Sequence, residues 1–450
     1  MESASHSAAA DLARFQALLR IATVSRADPE ATDWRAFEAF RDELGRRFPR
    51  VHDVVEREAV NEHTLLWRWR GSDPALAPVV LLAHQDVVDP GRLEDWEHPA
   101  FGAEIVLHDG EEVLWGRGTA DDKGSLVAIL TAAESLLGAG HSPRRDLWLV
   151  FGHDEETHGT GAAAAARVLA HRGVEPAFVL DEGGAIVRGF LPGIVRPIAA
   201  VGIAEKGVGN YRLAVSEQGG HASAPPPLSA IGRLARAITQ IDASPFRSTL
   251  PGPMRGMFRA AGRASTGLRS WLYRNVAFTA PLLLAALRRT SPESRAMTGT
   301  TRVATVIGGG HAQNAIPERA EAIVNVRIAP GETLSTVLAH LRRAVRDDRV
   351  TVELASGWEP SPVAPTSGFG WELLGSTLAE VRPDAVIAPY QQNGATDSRS
   401  FTTLTPNVYR FTPFELSEAE RAALHAVNER IRVASWLVGV DYYRALIARL

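Results

Sequence analysis

The sequence contains no cysteine among its 450 residues. That excludes a disulfide framework, a thiolate zinc site, an iron–sulfur cluster and a thiol nucleophile. Any metal must be held by histidine, aspartate or glutamate. A strong charge of either sign is also missing. The formal net charge is −4, without the basic balance of a nucleic-acid-binding protein. An apolar run of membrane-spanning length, ~20 residues, is absent too. The most apolar long stretch, 268–288, is broken by Arg274 and Pro281 and reads as a buried or partner-facing helix. The first ten residues lack both the basic and the apolar region of a signal peptide. A cytoplasmic protein with no membrane partner is the expectation. Lysine is scarce as well. Of 48 basic residues only Lys123 and Lys206 are lysine, which marks both as candidates for a local role at a site edge or hinge.

What is present is a regular alternation. Apolar runs at Val79–Ala83, Leu147–Gly152 and Ala177–Leu180 alternate with helical patterns at Gly124–Leu137 and Ala162–His171. That predicts an α/β fold with a mostly parallel sheet covered on both faces. After about Gly202 the style changes. Strand 208–216, helix 228–241, strands 301–308 and 319–329, helix 333–346 and strand 349–355 give the order βαββαβ, a ferredoxin-like layout. The α/β style then resumes with helix 370–381, strands near 385–388 and 407–411, and helix 417–449. The expectation is a larger domain, 1–202 plus 357–450, interrupted by a smaller one, 203–356. Within the insert, 243–299 exceeds what βαββαβ needs and reads as a helical elaboration.

Four segments bearing acids or histidine sit just past predicted strand ends. They hold His84 and Asp86, Asp121 and Asp122, Glu155 and Glu156, and Asp181 and Glu182. Open α/β sheets bind ligands at the carboxyl ends of their strands. One such segment would pass as a solvated loop. Four together would repel one another unless cations were bound. Zinc, cobalt or manganese suit such a donor set, and histidine favours zinc. There are more ligands than one tetrahedral ion needs, so a pair sharing a bridging carboxylate is expected.

The segments LLAHQDVV, GRGTADDKG, DEETHGTGA, VLDEGG, EKG, GGHAS, NAIP, ATDSR and LHAVNE occur in this order over nearly the whole chain. They resemble the co-catalytic zinc aminoacylase/carboxypeptidase metallopeptidase family, which includes aminoacylase, glutamate carboxypeptidase and succinyl-diaminopimelate desuccinylase. DEGG, EKG and the long insert are most similar to its carboxypeptidase S / N-acyl-amino-acid hydrolase branch. The resemblance implies a zinc domain interrupted by a dimerisation lid, two zinc ions per subunit and a homodimer formed through the lid. It also implies hydrolysis of small peptides or N-acyl amino acids that carry a free carboxylate. His84 and Asp181 would bind the first metal, Glu156 and His425 the second, and Asp121 both. Relatives use either position of the pair Asp181 and Glu182. Asp86 would orient His84, and Glu155 would be the general base. His221, crossing from the partner subunit, and Asn314 would stabilise the oxyanion. Arg399 would hold the substrate carboxylate. The branch's eukaryotic targeting segment has no counterpart in these residues.

Competing patterns occupy one segment. His153 and His158 mimic a zincin pair, but their spacing of five would not put them on one helix face. Gly159-Thr-Gly161-Ala-Ala-Ala164 fits a dinucleotide fingerprint with Asp181 about twenty residues on, and would make the protein an NAD-dependent oxidoreductase. A metal-binding relative without catalysis is the third class. Glu155 argues against it, because chemistry needs that residue and metal retention does not.

Overall fold

A computed structural model describes the chain apart from Met1, His158, Phe190, Pro192, Gly193 and Ser291. His158, half of the zincin-like pair, therefore lies outside the described residues. The strands Val79–His84, Leu147–Gly152 and Phe178–Asp181 are buried at every position. They are rich in Val, Leu and Phe, which suits strands covered on both faces. They pair in parallel at the centre of the main sheet. Strand Val408–Arg410 continues the parallel pairing beside Phe178–Asp181, and Val386–Gln392 runs parallel to Ile198–Glu205. Antiparallel strands Glu56–Val60 and Thr64–Trp69 complete the opposite edge.

Side chains alternate across this sheet with period two. Val79, Leu81 and Ala83 join a core with helices Lys123–Gly138 and Val433–Ile447 on one face. Val80 and Leu82 pack on the other face against Ala162, Ala165 and Leu169 of helix Thr160–His171. Loops that carry chemistry leave the strands between these two helical layers.

The second sheet is antiparallel. Its order is Thr301–Gly309, Arg319–Ile328, Gly207–Ser216, Val350–Trp358. Helices Ala230–Ala243 and Leu334–Ala344 supply Leu234, Ile241, Val337 and Leu341 to a separate core beneath it. This is the βαββαβ unit read from the sequence.

Two expectations are corrected. The first is the single helix at 417–449. The chain instead forms a short helix Glu418–Ala422, an irregular loop, strand Arg430–Arg432 and helix Val433–Ile447. His425 and Asn428 take left-handed φ values of 61° and 64°, which no helix accommodates. The second concerns 243–299. Its helices do not join the small domain's core. Met254, Met257 and Phe258 of helix Gly252–Arg263 belong to the main core. That helix covers the edge strand Val386–Gln392, and a Cβ on Gly256 would come within 2.5 Å of Pro389. Covering an edge strand removes a site for unwanted pairing.

The two lysines share one device. The Lys123 ammonium donates to the Ile21 carbonyl (2.5 Å), just past the end of helix Glu2–Leu19. Lys206 donates to the carbonyls of Ala296 and Gly299 (2.6 and 2.7 Å), tying the start of the second sheet to the helical insert. Both are buried, and burial lowers their pKa values to about 7 and about 8. A compact ammonium with three donors fits a pocket of carbonyls where a planar guanidinium would not.

Candidate active site

His84 ends its strand, and its ring is held from behind. Nδ1 lies 2.9 Å from the Asp86 carbonyl and 3.4 Å from Asp86 Oδ1. The Asp86 carboxylate also accepts from Ser25 Oγ (2.7 Å) and from the backbone N–H groups of Glu155 (3.2 Å) and Glu156 (3.1 Å). One buried carboxylate thus fixes the imidazole and the two-glutamate turn together. His84 Nε2 faces forward, 3.0 Å from Asp121 Oδ1. The other oxygen of Asp121 lies 2.9 Å from His425 Nε2, which is also 3.1 Å from Glu156 Oε2. Asp121 therefore stands between the two histidines.

Glu429, which the sequence reading did not assign, holds this loop. Its buried carboxylate accepts from Arg117 Nη1 (2.7 Å) and from the N–H groups of Gly118, Ala120 and Asp121 (3.1, 3.0 and 3.3 Å). The signal was available in LHAVNE, where only His425 was read.

Asp181 and Glu182 divide differently from the expectation. Both oxygens of Asp181 are used by the backbone: Oδ1 accepts from Glu182 N (2.9 Å) and Oδ2 from Ser398 N (2.7 Å). Glu182 Oε1 instead approaches His84 Nε2 at 4.0 Å. Two groups bring ligand atoms within 4.8 Å of one another: His84 with Asp121 and Glu156, and His84 with Asp122 and Glu182. The structure therefore puts Glu182, not Asp181, beside His84.

The electrostatics of this cluster call for cations. Burial pushes Glu155, Glu182 and Asp122 well above the usual carboxylate range, and neighbouring acids add to the effect. Burial and Asp121 raise Glu156 to about 7. Burial would raise Asp121 as well, but hydrogen bonds to His425 and His84 reverse this and hold it low. The bonds to Asp121 and Glu156 raise His425 to about 10. Among the described residues, Glu156 Oε1 and both oxygens of Asp122 are buried without a hydrogen-bond partner. Orphaned buried oxygens are costly, and a cation among histidines and carboxylates satisfies them.

The remaining candidates lie apart. His221 pairs with Ala315 in a small two-stranded sheet that joins distant parts of the chain, and the adjacent Ala222 donates to the Asn314 carbonyl at 3.0 Å. Both side chains are exposed, and His221 contacts only Ser223 among the described residues. Among the described residues, no hydrogen bond or ion pair links the pair to the His84–His425 cluster. Arg399 is half-buried, donates to the Thr396 carbonyl (2.8 Å) and lies 5.0 Å from the centre of the Trp358 ring, at the end of the second sheet. Asp397, two residues earlier, was missed. It is buried with both carboxylate oxygens unpartnered. Gly152 and Gly159 make its room, since a Cβ there would come within 2.4 and 2.8 Å of its oxygens.

The dinucleotide fingerprint has a different explanation. The Asp154 carboxylate accepts from the N–H groups of Thr160 (2.8 Å) and Gly161 (2.9 Å). It fills the helix N-terminus where a pyrophosphate would bind. Gly159 takes a left-handed φ of 62°, and Gly161 leaves space for Thr64 and His153.

A parallel sheet whose carboxyl ends gather two histidines and several unneutralised carboxylates defines a metallohydrolase. A family profile, "Peptidase family M20/M25/M40", matches residues 80–449. The chain belongs to this family and is a hydrolase acting on amide bonds. It is 36% identical over 419 residues to "Probable carboxypeptidase S-like 2" of Dictyostelium discoideum, covering 91% of this chain and 79% of that protein. It is 36% identical over 424 residues to "N-fatty-acyl-amino acid synthase/hydrolase PM20D1" of Homo sapiens, covering 93% and 83%. Among solved structures, the M20 family metallo-carboxypeptidase Sso-CP2 from Sulfolobus solfataricus superposes with a TM-score of 0.68 at 15% identity, over 97% of this chain and 98% of that one. At that identity the likeness shows the fold.

Proposed function

We propose that the protein is a dinuclear zinc amidohydrolase that releases an amino acid with a free carboxylate from small peptides or N-acyl amino acids. The position of Asp121, between the imidazoles of His84 and His425, carries this reading. His84 and Glu182 would hold one ion, Glu156 and His425 the other, and Asp121 both. When bound, two such ions supply charge that acidifies water and polarises the amide carbonyl. The relatives' names, carboxypeptidase S-like and N-fatty-acyl-amino acid hydrolase, support both substrate kinds.

Asp86 orients His84 and fixes the Glu155 backbone. Glu155 takes a proton from the attacking water and delivers it to the departing amide nitrogen. A carboxyl with a raised pKa suits a group that must both accept and return a proton near neutrality. Arg399 receives the substrate carboxylate. His221 and Asn314, both exposed, would serve the partner's site in a homodimer formed through the βαββαβ domain, which then acts as a lid. Glu155→Gln tests the chemistry. Zinc content by atomic spectroscopy should stay unchanged while kcat on N-acyl amino acids falls about 10²–10⁴-fold. Normal turnover in that variant would remove Glu155 from the mechanism.

A further inference from the structure

The helical insert has a charge pattern found nowhere else in the chain. Residues 243–292 contain eight arginines and no aspartate or glutamate. None of these guanidiniums has a carboxylate partner among the described residues. Helix Val276–Thr290 adds a second anomaly. Its inner stripe, Val276, Thr279, Leu283 and Leu287, is buried in the main core. Its outer stripe would be polar in an ordinary surface helix. Instead it presents Phe278 and Leu282, which are 83% and 60% exposed, together with Ala277 and Pro281. The preceding helix, Gly267–Arg274, exposes Leu268 and Trp271 at 72% and 55%. Exposed arginines frame the stripe: Arg269 and Arg274 before it, Arg288 and Arg289 at its end.

We infer that this face docks on a bilayer surface carrying anionic lipid headgroups. A helix whose apolar stripe is bordered by arginine lies in the interfacial plane, with its apolar side in the acyl boundary and its cations at the phosphates. At 15 residues it is roughly 22 Å long, too short to span. No described helix is long and apolar enough to cross a membrane. A second copy of the chain is a poor occupant, because a two-fold contact would set the same arginine-rich patch against itself.

Co-sedimentation of the full chain with vesicles tests the proposal. Vesicles of phosphatidylcholine containing about 30 mol% phosphatidylglycerol should bind the protein at low salt, and pure phosphatidylcholine vesicles should bind it far less. Phe278→Asp with Leu282→Asp should reduce partition at least about tenfold. Arg269→Glu with Arg274→Glu, both exposed, should do the same, and an unchanged melting curve shows that the fold is kept. Failure of the unmodified protein to bind anionic vesicles overturns the inference, as does partition that neither double variant weakens. Self-association that Phe278→Asp abolishes, without vesicle binding, would assign the face to a second copy. A shift of single-stranded RNA without vesicle binding would assign it to nucleic acid. Either result also overturns the inference.

Discussion

At the scale of single residues, the adjacent acids Asp181 and Glu182 show what a sequence can and cannot convey. Both are carboxylates at a strand end, so composition and spacing treat them alike. A step of one residue in a strand reverses the direction of the side chain. Asp181 turns toward the backbone of Ser398, and Glu182 turns toward His84. If Glu182 is a ligand, Glu182→Ala should leave one tightly bound zinc per subunit instead of two, measured after dialysis against a weak chelator. Asp181→Asn should keep two ions, with a weakening of about 10–100-fold, the range seen when a group behind a ligand is changed. The opposite result would return the ligand role to Asp181. His84, Asp121, Glu156 and His425 were legible because each stands in a motif of its own. Asp397 was not, because its role arises only when distant loops meet; Glu429 stands in the His425 motif, but its hold on the 117–121 loop forms only in the fold.

At the scale of elements, regular segments were legible and irregular ones were not. The central strands and their helices announce themselves by apolar runs and helical spacing. The loop carrying His425 does not, because its left-handed residues are His and Asn, neither of which is a glycine. The helical insert was recognised as helical, but its packing partner depended on the exposed edge of Val386–Gln392, which only the assembled sheet creates. Another junction of elements also forms only in three dimensions. Arg410, on strand Val408–Arg410, pairs with Glu205 at 2.5 Å. Glu205 ends strand Ile198–Glu205 and also accepts from Thr396 N (3.0 Å) and Ser398 Oγ (3.0 Å). The turn that presents Asp397 and Arg399 is thus fastened to two strands through one buried ion pair. Removing one partner of such a pair leaves an uncompensated buried charge. Arg410→Met should therefore destabilise the protein by about 3–5 kcal/mol in denaturant unfolding. A loss below about 1 kcal/mol would mean that the hydroxyl and N–H donors to Glu205 suffice without the arginine.

At the scale of the whole molecule, the proposed homodimer would complete the proposed site. His221 and Asn314 are exposed on a small two-stranded sheet beside the second sheet, away from the cluster that holds Glu155. The second sheet ends in strand Thr301–Gly309, an outer strand exposing Val303, Val306 and Ile307 at 55%, 59% and 63%. An apolar edge strand left open invites pairing with another chain. A two-fold dimer across that edge would give both subunits the same partner contact. In the proposed homodimer, His221 of one subunit would serve the site that holds Glu155 of the other. This arrangement makes a prediction that a self-sufficient chain cannot meet. His221→Ala and Glu155→Gln should each be nearly inactive alone. After mixing under conditions that exchange subunits, half of the dimers would be hybrids. In each hybrid, one of the two sites would draw its intact Glu155 from one subunit and its intact His221 from the other. Activity should therefore recover to about a quarter of the unmodified enzyme. If the mixture gains nothing although sedimentation shows exchanged dimers, His221 acts within its own chain or not at all, and the site must close by a motion of the second sheet over the first.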